Sequence, residues 1–279
     1  MKVFKDIIGL RQQLHTHRMK EQTIGLVPTM GYLHQGHIEL ITRSKQQTEI
    51  TVCSIFVNPI QFNSKEDLDN YPKSEEKDLL LLDQLNVSYV FYPSVELMYP
   101  SKAETSIGFK NMADILEGEW RPGHFVGVGL VVVKLLNIVQ PDKTYFGQKD
   151  LQQLILVKKM VADLNINSEI VAVPIVREAS GLALSSRNAR LTENQKVAAS
   201  SIFKCLTAAK EEILKSGGVL AAKHIALKIL NNEKEIVTEY VEIVSMDNFE
   251  IVDKYTVDNT AICVAARIGN VRLIDNVVV

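Results

Sequence analysis

The chain has 279 residues, of which 46% are hydrophobic and 23% charged, with a formal net charge of -2 at pH 7. That balance belongs to an ordinary globular protein, with length enough for one large domain or two modest ones. It excludes a global basic field for nucleic acid, so an acidic or phosphorylated substrate has to be met by a local basic site.

Cys53, Cys205 and Cys263 are far apart and share no CxxC spacing. Cys53 and Cys263 sit in apolar runs and read as buried thiols, which fits a reducing cytoplasm and gives no metal site. Residues 1–20 are mixed and charged, with no apolar core of signal-peptide length. The most apolar stretch, Val126–Val139, is too short to span a bilayer and contains Lys134. A cytoplasmic chain with no membrane partner is the expectation.

In chain order, Ile24–Pro28 reads as a buried strand, Gly36–Gln47 as a helix and Ile50–Val57 as a second strand. Ser74–Leu85 reads as a helix with Ser74 as its N-cap and Glu75, Glu76 and Asp78 in its first turn. Val87–Tyr92, Thr144–Phe146 and Glu169–Val173 read as further strands, separated by helices over Val126–Val139 and Leu151–Leu164. Continuous apolar strands alternating with helices predict α/β architecture, a parallel sheet covered on both faces. The pattern changes after about Arg177. Thr192 caps a long helix through Ser216 that Gly217-Gly218 stops, and Leu220–Leu230 is a second helix. Val237–Val244, Thr260–Arg267 and Val271–Ile274 come next as antiparallel strands. The expected division is 1–176, an α/β domain, and 177–279, a smaller α+β domain, with the boundary near Ile175–Arg187.

Five segments carry chemistry. Pro28-Thr29-Met30-Gly31-Tyr32-Leu33-His34-Gln35-Gly36-His37 follows the first strand and opens a helix, where backbone amides and the helix dipole face a ligand. His34 and His37 fall on one side of a helix start and suit the oxyanions of a triphosphate; an imidazolium there can stabilise charge on a leaving pyrophosphate. On spacing alone the pair fits two solvent-exposed imidazoles equally well. Zinc is disfavoured, because HxxH lacks the glutamate and spacing of HExxH. Phe56-Val57-Asn58-Pro59-Ile60-Gln61-Phe62 brings two amides to a strand end, in a stretch that also reads as a plain Asn-Pro turn.

Arg121-Pro122-Gly123-His124-Phe125 is a Pro-Gly loop with two cationic side chains, or a surface turn. Its neighbouring glycines do not match GxGxxG and follow no strand. Phe146-Gly147-Gln148-Lys149-Asp150 runs from a strand end into a helix, with Gln153 one turn beyond Lys149. Lys149 suits a phosphate, whereas Asp150 fits a helix cap, a ribose or a metal. Val176-Arg177, followed by Leu184-Ser185-Ser186-Arg187, lies at the domain boundary and suits a mobile phosphate clamp or a Ser/Gly linker. Each segment alone is weak; their recurrence at strand ends is harder to explain structurally.

In order and spacing these segments closely resemble the pantoate–β-alanine ligase (pantothenate synthetase) family, through PTMGYLHQGH, FVNPIQF, RPGHF and LSSRN. The HxGH element is shared with a wider nucleotidyltransferase superfamily. The resemblance implies a Rossmann-like N-terminal domain, a smaller C-terminal domain and a homodimer. It implies ATP-dependent condensation of pantoate with β-alanine through pantoyl adenylate, with Mg²⁺ accompanying ATP and no resident organic cofactor. By that resemblance Pro28 through His37, Gly147 through Asp150, Val176 and Leu184 through Arg187 bind ATP. His37, His34, Lys149 and Arg187 carry catalysis, with His37 the proton donor. Gln61 meets both pantoate and β-alanine, Gln153 and Asn58 meet pantoate, and Asp150 is the candidate protein ligand for Mg²⁺. Leu184, Gln148 and Ala179-Ser180 depart from the pattern, which often has Met, Glu and Pro-Asp there. The competing readings are a nucleotidyltransferase acting on a phosphate ester and a non-catalytic nucleotide sensor on the same fold.

Overall fold

A computed structural model describes residues Met1–Val279. The N-terminal stretch, read from sequence only as mixed and charged, forms β1 (Lys2–Phe4) and α1 (Ile7–Arg18). Asp6 caps α1 by accepting from the Gly9 amide at 2.6 Å, and Leu10 and Leu14 bury one turn apart. Then come β2 (Ile24–Thr29), α2 (Gln35–Gln47), β3 (Ile50–Ile55), a short α3 (Lys65–Asp69), α4 (Glu75–Gln84) and β4 (Tyr89–Phe91). Two short helices, α5 (Val95–Met98) and α6 (Glu117–Trp120), precede α7 (His124–Val139), β5 (Lys143–Gly147), α8 (Leu151–Asp163) and β6 (Glu169–Val173).

The first six strands form one sheet in the order β1-β4-β3-β2-β5-β6, every pair parallel. This is the α/β sheet expected from the sequence. Val27, Cys53, Ile55 and Tyr145 pack with Leu40 and Ile41 of α2 and Leu82 of α4 in one buried cluster, while α7 packs against α1 and β2. The chain moves from β2 outward through β3 and β4, then returns to the other flank of β2 with β5 and β6. The order therefore reverses between β2 and β5, and open α/β sheets hold ligands at that reversal, beyond the carboxyl ends of the strands.

Pro28 sits inside β2, opposite Ser54, although central strands reject proline. The ladder shows why it is tolerated. Amides of Ile50 and Phe56 donate to carbonyls of Thr23 and Thr29, so odd-numbered residues of β2 face β3. Pro28 therefore faces β5, whose pairing with β2 ends at Leu26. No donor is required there, and the sheet opens.

The chain divides into two compact units. The first holds Met1–Gln148 and Leu156–Val173; the second holds Lys149–Ile155 and Pro174–Val279. In the second, α9 (Glu193–Ser216) begins at a reciprocal cap between Thr192 and Gln195 and stops at left-handed Gly217. Next are α10 (Val219–Asn231) and an antiparallel sheet of β7 (Ile236–Ser245), β8 (Thr260–Ile268) and β9 (Val271–Val278). The last strand is longer than its apolar pattern suggested, because Asp275 and Asn276 are buried polar residues with partners. No helix is long and apolar enough to cross a membrane. The three cysteines are buried and form no disulfide; burial pushes the Cys53 and Cys205 thiols up to about 12.

Arg177 is a polar anchor of the second unit. It meets the Asp275 carboxylate through both terminal nitrogens at 2.5 and 2.9 Å, donates to the Gly181 carbonyl and stacks on Phe203. Burial pushes the Asp275 carboxyl above the usual range, against the pull of Arg177. Replacing Arg177 by Met is expected to cost about 3–5 kcal/mol near neutral pH, because a buried charge loses its partner. Without Arg177 the folded carboxyl takes up its proton still more readily than the unfolded one. The stability that protonation brings is present in acid and lost as pH rises through the folded pKa. Urea unfolding of Arg177→Met should therefore show the deficit shrinking as pH falls from neutral into the acid range.

Candidate active site

The loop after β2 is built around two reciprocal caps and one buried carboxylate. His34 is the N-cap of α2: its Nδ1 accepts from the Gly36 amide at 3.1 Å. The third helical residue answers, with His37 Nδ1 accepting from the His34 amide at 3.2 Å. This is a capping box in which imidazoles replace the usual Ser and Glu. The rings lie 4.2 Å apart between centroids. The pair therefore shares one side, as the spacing predicted. Gly36 is needed because a Cβ there would lie 2.9 Å from Cε1 of His34 and push the ring off.

Two expectations change here. Three amides of this loop are not open to a ligand: Gly31 donates to Thr29 Oγ1, and Tyr32 and Leu33 donate to the Asp78 carboxylate at 2.7 and 2.8 Å. The imidazolium read from sequence also conflicts with the box. Each Nδ1 must be unprotonated to accept an amide, so the ring proton sits on Nε2 and both rings are neutral.

Asp78 is a residue the sequence reading placed only as helix-favouring charge. It is 3% exposed and holds two successive left-handed residues, Gly31 and Tyr32 (φ 78° and 50°). Its own helix start explains Ser74, whose hydroxyl donates to Asp78 at 3.0 Å and makes no cap bond to the backbone, contrary to the expected role. A non-glycine residue at positive φ costs of order 1 kcal/mol, and the carboxylate offsets it.

Asn58 caps and Gln61 ends a 3-10 turn after β3, and both are buried. Asn58 Nδ2 donates to Gln61 Oε1 and to the Gly127 carbonyl, and Tyr99 donates to Asn58 Oδ1. Asn58, expected to meet substrate, is 1% exposed and spends its amide on protein partners. Gln61 Nε2 reaches Met30 Sδ at 3.2 Å. His124, which opens α7, is buried; its Nδ1 donates to the Gln61 carbonyl at 2.8 Å, and its Nε2 accepts from Arg121 at 3.2 Å. The RPGHF segment is thus a clamp on the Gln61 backbone and not a surface turn. Met30, His34, His37, Asn58 and Gln61 all belong to the first unit.

The remaining candidates lie mostly in the second unit. Gly147 ends β5 and Gln148 begins a 3-10 turn, in which the largely buried Lys149 ammonium is 3.9 Å from the half-exposed Asp150 carboxylate. The Lys149 carbonyl accepts from Asn276 at 3.0 Å. Gln153 follows one turn on, partly buried. Val176 and Leu184 are the ends of a small hairpin, the Leu184 amide donating to the Val176 carbonyl. Ser185 caps a 3-10 turn over Ser186–Arg190 by accepting from the Arg187 amide, and Ser186 is buried. The segment is a tied hairpin and turn. No group of three or more His, Cys, Asp or Glu side chains is clustered to hold a metal ion.

A family model described as pantoate-beta-alanine ligase matches residues 2–278. A pantothenate synthetase of Caldicellulosiruptor bescii is 47% identical over 280 residues, covering 100% of this chain and 99% of its own. The crystal structure of a pantothenate synthetase from Thermus thermophilus superposes with a TM-score of 0.94 at 38% identity, covering 99% of each chain. A pantoate-beta-alanine ligase from Francisella tularensis, solved with beta-gamma ATP and beta-alanine, gives 0.83 at 37% identity over 100% of this chain and 97% of that one.

Three substitutions probe these supports. A Cβ on Gly127 would sit 2.7 Å from the Cα and amide nitrogen of Gln61, so Gly127→Ala should destabilise by about 1–3 kcal/mol and lower the melting temperature by several degrees. Asp78→Ala strands two amides and should cost about 2–4 kcal/mol in urea unfolding. Asp78→Asn keeps one accepting oxygen and should recover part of that loss.

Proposed function

The chain belongs to the pantoate–β-alanine ligase family, and we propose that it condenses pantoate with β-alanine in two steps at the expense of ATP. In the first, a pantoate carboxylate oxygen attacks the α-phosphorus, the bond to the bridging oxygen breaks, and pyrophosphate leaves pantoyl adenylate behind. In the second, the β-alanine amine attacks the activated carbonyl, AMP departs, and the amine gives up a proton. Adenylation turns a poor acyl donor into a good one.

The observation that carries the reading is the imidazole capping box at the carboxyl end of β2, where the strand order reverses. With Nδ1 of both rings committed to amides, His34 and His37 turn a donating Nε2–H toward a phosphate oxygen. His37 is the catalytic donor to the departing pyrophosphate, and His34 its phosphate partner. Phosphoryl transfer asks for positioning and charge neutralisation and not for a protein nucleophile. Lys149 and Arg187 supply fixed positive charge.

ATP contacts are assigned to Pro28 through His37, Gly147 through Asp150, Val176 and Leu184 through Arg187. Pantoate is assigned to Gln61 and Gln153, with Asn58 acting behind Gln61; β-alanine shares Gln61. Mg²⁺ arrives with ATP. Such an ion takes one or two carboxylates beside phosphate oxygens, and the single half-exposed carboxylate of Asp150 fits that share. Residues 1–176 form the nucleotide- and pantoate-binding domain in this reading, with 177–279 as the C-terminal domain. A cytoplasmic homodimer is the setting implied by the family.

An AMP-coupled assay tests the overall reaction. With ATP and pantoate, sustained AMP formation is expected only when β-alanine is added; sustained release without the amine would contradict the ligase. His37→Ala should slow pyrophosphate release by about 10²–10³-fold, far more than the roughly 0.5–2 kcal/mol of stability expected from the lost half of the capping box would explain. Near-normal release from the folded variant would remove His37 from the mechanism.

A further inference from the structure

Tyr99 follows α5 and lies on none of the segments that the sequence singled out. Its hydroxyl donates to Asn58 Oδ1 at 2.9 Å. Burial pushes the phenol up to about 12, so it remains a donor at working pH. Asn58 also accepts from the Ile60 amide on the same oxygen, at 3.4 Å. An amide has one accepting and one donating end. With Oδ1 held by Tyr99, Nδ2 must point the other way, to the Gly127 carbonyl at 3.0 Å and Gln61 Oε1 at 3.1 Å. That occupies the oxygen of Gln61, and its Nε2 turns out beside Met30 Sδ, an atom that can only accept.

We propose that Tyr99 is a positioning residue that fixes, through Asn58, which end of the Gln61 amide faces the substrate, so that Gln61 is a hydrogen-bond donor to substrate oxygen. The inference rests on the reading of Gln61 as the pantoate and β-alanine contact. Both substrates offer carboxylate oxygens, which only accept, so a donor is the end that binds them. Removing the Tyr99 hydroxyl leaves only the 3.4 Å contact of the Ile60 amide on Oδ1 and the Gly127 carbonyl on Nδ2 to hold Asn58, so a turned population of its amide grows. Its oxygen then faces Gln61, Gln61 turns Nε2 inward, and an accepting oxygen meets the substrate carboxylate.

Tyr99→Phe deletes only the hydroxyl; the ring keeps its places beside Phe56 and under the Lys134 ammonium. The test compares Tyr99→Phe in the parent and in a Gln61→Ala background, by steady-state kinetics and calorimetric binding of pantoate. In the parent, KM and Kd for pantoate should rise about fivefold to tenfold, the worth of about one neutral hydrogen bond, with KM for ATP within about twofold. In the Gln61→Ala background the same change should add nothing further. An equal rise in both backgrounds, or an unchanged Kd in the folded parent variant, would overturn the proposal. If Gln61→Ala itself leaves pantoate binding untouched, the substrate-contact reading fails and the proposal with it. An inactive parent chain fails the ligase reading instead, so the failures are told apart.

Discussion

Everything in the first unit depends on β2 running through the middle of a parallel sheet and releasing its neighbour before its end. Pro28 faces β5 one step beyond Leu26, the last residue β5 holds. The missing donor is costless there, and the strand carries on toward β3 alone. The residues after Thr29 cannot extend the sheet. They form a loop with left-handed residues whose amides need acceptors, and those acceptors shape the site.

The acceptors are side chains with little freedom left. Asp78 takes the amides of Tyr32 and Leu33, the imidazoles take those of Gly36 and His34, and the Gln61 backbone is held by His124 against a glycine that lets α7 come close. Buried polar networks of this kind are stable only when every member has a partner, and then they hold their geometry. The groups assigned to the substrates in the proposed reaction, Nε2 of two histidines and Nε2 of Gln61, are those whose companion polar atoms are already committed. Such groups need little reordering when a ligand arrives.

Periodicity made the strands and helices of the parallel sheet legible, and turn chemistry marked the ends of α9, because both are local signals. The lines PTMGYLHQGH and FVNPIQF stood out because they fall at strand ends. The N-terminal β1 and α1 went unread: β1 is three residues long, and its partner β4 lies far along the chain. Asp78 and Ser74 looked like helix-start residues because the amides that Asp78 serves lie 46 and 45 positions away. Tyr99 carried no signal at all, for its partner Asn58 is likewise distant. Local rules read propensity and capping; they do not read which buried acceptor meets which remote donor. The histidine pair is the intermediate case. Its spacing was right and its side was right, but its protonation depended on amides that only the folded loop supplies.

That protonation leaves a mark that can be read without turnover. In both His34 and His37 the nitrogen nearest the backbone is pyridine-like and the far one pyrrole-like, because the fold commits the near one to an amide. Free imidazoles in solution favour the same tautomer only modestly and exchange quickly. The two rings thus carry their own spectroscopic label: nitrogen-15 resonances locked in that pattern report a formed loop, and averaged ones report a loop that has come undone, whether or not any substrate is present.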